Sequence, residues 1–267
     1  MPNLLRLSRK TAPAGRGASA RFPFDVPAIA TLTTLDLRAD VTFFVGENGS
    51  GKSTLLEGIA CVAELETIGE HDAASDATLT AQRELAADLR LAWGRRSRQG
   101  FFLRAEDFFG YVRGQARTDA RIVREQREAM GIAAPAEGPE DTLGARHVDE
   151  RDAAGYLGRY DARSHGESFL DLFSERVRPG GLYLLDEPET PLSPKRQLAF
   201  LALVRKAARA GAQFIIATHS PILLACPGAR IFSFDESPIA EASYDALDHV
   251  SVTRDFLNHP AKYLDDM

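Results

Sequence analysis

Apolar residues in this chain fall into short continuous runs, separated by stretches where they recur about one helical turn apart. Val41-Thr42-Phe43-Phe44-Val45 is a β-branched and aromatic run, and Thr54-Leu55-Leu56-Glu57-Gly58-Ile59-Ala60 after it is apolar at helical spacing. Gly100-Phe101-Phe102-Leu103-Arg104, Gly181-Leu182-Tyr183-Leu184-Leu185 and Gln213-Phe214-Ile215-Ile216-Ala217 are three further runs of the kind that buried strands carry. Helices are predicted from Ala105 or Glu106 through Arg117, over the amphipathic stretch around Phe169 and Phe173, and from Ser193-Pro194 onward. In that last helix Ser193 is the expected cap and Pro194 the first residue, and Leu198, Leu201 and Val204 form the expected core-facing stripe. Buried strands alternating with helices describe an α/β domain.

The weaker stretches fill in the outline. Residues 1–20 read as a strand end and a mobile loop, Leu35-Asp36-Leu37 as a half-exposed strand, and Asp40 as the bend before the next strand. From about residue 70 to 160, Asp, Ala, Ser, Arg and Gly replace the strand formers. His71 to Ala77 reads as loop, and residues 133–141, with Pro135 and Pro139, as a flexible connection. A helical insertion of about 70–175 within a single domain of 1–267 accounts for this pattern, and 267 residues suffice for it.

Between the first buried strand and its helix lies Gly46-Glu47-Asn48-Gly49-Ser50-Gly51-Lys52-Ser53, followed by Thr54. This satisfies G-x-x-x-x-G-K-[ST] in the strand–loop–helix context the motif needs. Glycines let the backbone curl so that successive N–H groups point inward, and the helix start adds unpaired N–H groups and a positive dipole end. Lys52 is placed to reach β- and γ-phosphates and the Ser53 hydroxyl to ligate Mg²⁺. A purely structural turn would not need Lys-Ser at its end. A nucleoside triphosphate ligand is therefore expected. Phe22 and Phe24, shortly upstream, read equally well as core residues or as a stacking surface for a base.

The second half of such a site follows the run ending at Leu185. Asp186, at the carboxyl end of a central strand, is expected to hold Mg²⁺, and Glu187 to polarise the attacking water as general base. Glu189 extends the acidic stretch. The strand ending at Ala217 leads into Thr218-His219-Ser220-Pro221, where His219 can reach the γ-phosphate. Ser164-His165-Gly166-Glu167-Ser168 reads as an S-x-x-E capping box, and the same helix start is an anion site suited to a phosphate presented by another subunit.

Charge and cysteine content narrow the picture further. A net charge of −6 gives no overall basic field of the kind that draws a protein onto nucleic acid or anionic lipid. Arg95, Arg96 and Arg98 read as a solvated cluster. Cys61 and Cys226 have no metal-ligand spacing and read as buried thiols in a reducing compartment. With no run of ~18 apolar residues and no apolar core in the first residues, a cytoplasmic location is expected.

Taken together, the phosphate loop, the Ser-x-Gly-Glu segment 22 residues before Asp186, the Asp-Glu-Pro-Glu and the Thr-His-Ser resemble the ATP-binding-cassette superfamily in order and spacing. More closely, the chain is similar to stand-alone AAA/SMC-like predicted ATPases whose signature reads Ser-His-Gly-Glu-Ser. The resemblance implies a P-loop NTPase fold with a mostly parallel sheet, flanking helices and an inserted helical subdomain. It implies ATP hydrolysis with Mg²⁺ in a head-to-tail homodimer, with Ser164, Gly166 and Glu167 acting in trans and His219 as a switch on the γ-phosphate. Two departures stand out. Thr190-Pro191-Leu192-Ser193 lacks the Asp that cassette proteins carry at its last position, and Arg104 or Glu106 stands nearest the place of a metal-contacting Gln. The implied output is work on a macromolecular partner, DNA among the candidates. The alternatives are a nucleotide-binding subunit of a membrane transporter, and a nucleotide-dependent binding module with little turnover.

Overall fold

The computed structural model describes residues 2–10, 21–68, 80–97, 99–105, 107–108 and 165–264. Of the expected elements, most of the helix after Arg104 and the 133–141 connection lie outside these residues, as do Ser164, Glu106 and Arg98. The chain runs β1 (Leu4–Arg9), α1 (Pro27–Ala30), β2 (Thr34–Asp36), β3 (Val41–Val45), α2 (Lys52–Ala63), β4 (Glu66–Ile68), α3 (Thr80–Asp88), β5 (Leu89–Trp93) and β6 (Gly100–Arg104). It continues with α4 (His165–Arg176), β7 (Leu182–Asp186), α5 (Pro194–Arg209), β8 (Gln213–Ala217), α6 (Pro221–Leu224), β9 (Arg230–Ser233), β10 (Ala240–Glu241), α7 (Asp248–Asn258) and α8 (Pro260–Leu264).

Two sheets result. The larger has the order β10-β9-β3-β8-β7-β6-β4, parallel throughout except for the edge strand β10. The smaller is antiparallel, β2-β1-β5. Every residue of β3, β7 and β8 is buried, as parallel strands covered on both faces require. Because side chains alternate along a strand, Phe44 and Leu184 point to one face and Phe43, Tyr183 and Leu185 to the other. The first face packs on Leu55, Leu56 and Ile59 of α2 and on the small sheet through Leu4, Leu7 and Leu35. The second packs on Phe169 and Phe173 of α4 and Phe200 of α5, in a chain of edge-to-face aromatic contacts.

A buried amide ties the two sheets together. Gln213, at the start of β8, accepts the Leu4 N–H at 2.7 Å and donates to Leu4 O at 2.9 Å and Leu37 O at 2.6 Å. Asn3 donates to the carbonyls of Gly180 and Gly181, both at 3.0 Å, ahead of β7.

Several expectations change. The Leu198 side chain is exposed rather than core-facing; Phe200 and Val204 are the buried residues of α5. Ser193 sits at the cap position with Pro194 next, yet its side chain makes no capping bond; its carbonyl accepts from Arg196 and Gln197 instead. Phe22 is exposed, while Phe24 is partly buried against the core with Arg9 over its ring at 5.4 Å. Arg96 pairs with the exposed Glu64, as a solvated face does. Among the described residues no helix is long and apolar enough to cross a membrane.

Candidate nucleotide site

Strand register alone brings the acidic and basic residues to one edge. Arg104 pairs with Asp186, Asp186 with Ala217, and Ala217 with Phe44, so β6, β7, β8 and β3 end in a single row. The segments leaving that row are the loop after Val45, Glu187 after Asp186, and Thr218-His219 after Ala217. In open parallel sheets this carboxyl edge is where ligands bind.

The loop is curled by three glycines in conformations that side chains rarely adopt, Gly46 at φ 149°, Gly49 at 82° and Gly51 at 103°. At Gly51, which caps α2, a Cβ would also lie 2.8 Å from Val26 Cγ1. The Lys52 ammonium is buried inside the curl, donating to Gly46 O at 2.6 Å and Glu47 O at 2.9 Å. Burial pulls its pKa below the usual lysine value, and the carboxylates of Glu187, Asp186, Asp235 and Glu47 oppose that pull. Lys52 thus feels both acids of the row.

Asp186 is the most perturbed of these groups. Burial pushes its carboxyl up to about 7, with Glu187 and Glu57 adding to the rise and a hydrogen bond from Ser53 and the charge of Arg104 opposing it. Its Oδ1 is buried without a hydrogen-bond partner. An oxygen donor set of one carboxylate and one hydroxyl, with an unfilled acceptor, fits a hard cation that takes its other ligands from phosphate and water. Among the described residues no group of three or more His, Cys, Asp or Glu could hold a metal ion by itself. Arg104 has no place in that donor set. Its guanidinium is paired with Glu57, and a cation with no lone pair cannot ligate a metal.

Glu187 sits at φ 49°, an uncommon conformation for a residue with a side chain, held by its N–H donating to Ala217 O at 2.9 Å. Its side chain is 46 % exposed, open to solvent where a water could approach. His219 Nε2 lies 3.7 Å from Glu187 Oε1. Burial, helped by the charges of Lys52 and His249, lowers the His219 pKa, so the ring is neutral at neutral pH.

Two residues that organise this site were not singled out for such a role by sequence. Glu189 Oε1 accepts from Thr218 Oγ1 at 2.6 Å and from the His219 N–H at 2.7 Å, so the last acid of Asp-Glu-Pro-Glu fixes the backbone of the histidine. Asp235, after β9, accepts the Glu47 N–H at 2.6 Å and anchors the start of the loop. An acid closing the last apolar run was the available signal for Asp235. A cavity of about 460 Å³ opens beside the loop, lined by Pro27, Ala28, Asn48, Ser50, Phe234 and His249 among others. Neither Phe22 nor Phe24 lines it.

The helix α4 brings Gly166 and Glu167 to the end of the Glu189–Ser193 turn. Glu167 pairs with Arg196 at 2.9 Å and is half exposed, and a Cβ on Gly166 would lie 2.6 Å from Arg196 Cδ. Cys226 is buried and Cys61 only partly so, and burial raises the thiol pKa of both.

Residues 168–225 match the family model described as "AAA domain, putative AbiEii toxin, Type IV TA system". The chain is similar to proteins of the ABC/AAA P-loop superfamily. Within that superfamily it is 37 % identical over 98 residues to the DNA replication and repair protein RecF of Kineococcus radiotolerans, spanning 37 % of this chain and 24 % of that one. The chain therefore spans about a quarter of RecF. It is 28 % identical over 260 residues to the hemin import ATP-binding protein HmuV of Rhodopseudomonas palustris, covering 89 % of this chain and 92 % of the relative. A nucleotide-free ATP-binding cassette from an ABC transporter overlays with a TM-score of 0.46 at 14 % identity, over 94 % of each chain.

Proposed function

We propose that this chain is an ATP hydrolase that uses Mg²⁺ and closes into a head-to-tail dimer around two nucleotides, coupling that cycle to a macromolecular partner. The observation that carries the reading is the single row at the sheet's carboxyl edge, which gathers the curled loop, the Asp186–Ser53 pair, Glu187 and His219. Backbone N–H groups from Gly49 to Thr54 cradle the phosphates, and Lys52 exchanges its two loop carbonyls for β- and γ-phosphate oxygens. Ser53 and Asp186 hold the Mg²⁺. Held there, the ion would supply positive charge against the phosphates. Glu187 orients and polarises the water, with its carboxylate facing solvent. His219, neutral, donates from Nε2 to the γ-phosphate and so senses whether it is present. Ser164, Gly166 and Glu167 of a second copy complete the site in trans, which makes ATP favour the closed dimer.

The test is phosphate release together with size measurement by light scattering, for wild type and Glu187→Gln. The expected result is hydrolysis by wild type, loss of about 100-fold or more in the variant, and an ATP-dependent dimer trapped by the variant. Unchanged phosphate release would leave a nucleotide-dependent binding module instead, and a variant that stays monomeric with ATP and Mg²⁺ would remove the dimer.

DNA is the partner we favour, supported by the RecF relative. Salt-sensitive retention on DNA that requires ATP is the expected outcome; none at low salt removes it. The match to HmuV along most of the chain supports a second reading, an ATP-binding subunit of a membrane transporter. Co-purification with a multi-span membrane protein from the native host would favour that reading.

A further inference from the structure

We infer that His249 is a positioning residue for His219: it donates its Nε2–H to His219 Nδ1 and so holds the His219 ring with Nε2–H facing Glu187 and the incoming γ-phosphate. This rests on the reading of the site given above. The two imidazoles meet nitrogen to nitrogen, His219 Nδ1 to His249 Nε2 at 3.2 Å, with ring centroids 5.0 Å apart and planes tilted by 55°. His249 comes from the first turn of α7, which is anchored by buried Leu247 and Val250 and has no part in the nucleotide motifs.

A neutral imidazole carries one donor and one acceptor, so fixing one nitrogen decides the other. Nε2 of His219 is buried, without a hydrogen-bond partner among the described residues, and its nearest charged oxygen is Glu187 Oε1 at 3.7 Å. Beside a carboxylate, and later beside a phosphate, a proton on Nε2 is favoured over a lone pair. That leaves Nδ1 as the acceptor, and the proton between the rings belongs to His249. The other charged groups that bear on His219 are Lys52 and Glu47. The backbone of His219 is held separately, through its N–H to Glu189, so losing His249 frees the ring without releasing the loop.

The experiment compares wild type with His249→Phe, which fills the ring's space without a donor, and His249→Gln, which keeps an N–H donor. Histidine ring nitrogens are read by ¹⁵N-edited NMR of the nucleotide-free protein, with His219 assigned by its loss in His219→Ala. The expected result is His219 as the Nε2–H tautomer in wild type, a mixture of tautomers in His249→Phe, and recovery in His249→Gln. Identical tautomer populations in wild type and His249→Phe overturn the inference, and this reading needs no hydrolysis. In turnover, His249→Phe should lower kcat about tenfold with KM for ATP within about twofold, and Gln should recover most of it. Wild-type kcat in His249→Phe, alongside lost release in Glu187→Gln, would overturn the positioning role while leaving ATP hydrolysis standing.

Discussion

Thr218 donates its hydroxyl to Glu189 Oε1 at 2.6 Å, and the His219 N–H donates to the same oxygen at 2.7 Å. One partly buried carboxylate therefore joins the segment after β7 to the segment after β8, and burial raises its pKa despite both bonds. Truncation would orphan two donors, one of them on the fully buried Thr218. Glu189→Ala is expected to cost about 2 kcal/mol, a fall in Tm of roughly 4–8 °C for a chain of this size. Glu189→Gln, which keeps an acceptor oxygen, should cost less than half of that. Thermal unfolding of the nucleotide-free protein measures both, and an Ala variant within about 1 °C of wild type would show that the bonds stabilise nothing net.

Sequence reading was strongest where one residue type serves one purpose. The runs at Val41–Val45, Leu182–Asp186 and Gln213–Ala217 are strands because apolar residues on both faces suit a covered parallel sheet. Their order then put Lys52, Asp186, Glu187 and His219 at one edge. Helix orientation was harder. In α5, Leu198, Phe200, Leu201, Leu203 and Val204 surround much of the axis, so periodicity alone could not choose the buried face; packing on Phe173 and Phe169 selected Phe200 and left Leu198 in solvent. Long-range polar partners were illegible for a different reason. Gln213 to Leu4, Asp235 to Glu47 and His249 to His219 join residues 209, 188 and 30 positions apart, and no local pattern encodes such a distance.

Gln213 provides the next prediction. It is fully buried, and its amide satisfies the N–H and carbonyl of Leu4 together with the Leu37 carbonyl. Leu has similar bulk but no polar atom, so Gln213→Leu would strand those groups between the two sheets. The expected cost is about 3–5 kcal/mol. Urea unfolding should show a lower midpoint at unchanged slope. A midpoint equal to wild type would mean that the two sheets are joined by apolar packing alone.

Gly166 sets two effects against each other. Within a helix, Ala is favoured over Gly by up to about 1 kcal/mol. Here an added Cβ would lie 2.6 Å from Arg196 Cδ and 3.0 Å from Pro191 O. The arginine can swing away, at the loss of its pair with Glu167, but the Pro191 carbonyl belongs to the backbone. Overpacking of this kind costs about 1–3 kcal/mol, so the clash should prevail. Gly166→Ala is expected to lower Tm by a few degrees while ATP binding to the monomer persists. A raised Tm would mean that the turn from Glu189 to Ser193 yields easily.

The last prediction concerns proton linkage at Asp186. With its carboxyl raised from 3.8 to about 7, the folded protein holds a proton there that the unfolded chain releases. Stability from this group is fully present below pH 4 and is lost as pH rises through about 7. A shift of about three units corresponds to a loss on the order of 4 kcal/mol across that window. Asp36 and Asp255 are shifted the opposite way, held low by hydrogen bonds from Arg38 and from Lys262, so their contributions change only in acid. Glu189, raised by burial, adds to the loss, while His219, lowered by burial, gains stability as pH rises towards 6.5 and opposes it. Urea unfolding in chelator, without nucleotide, should therefore show wild type losing stability from pH 5 to pH 8 relative to Asp186→Asn, so that the Asn variant exceeds wild type at pH 8. A wild-type profile as flat as that of the Asn variant would mean that the carboxylate is already ionised at pH 5, with no proton to give up when a cation binds.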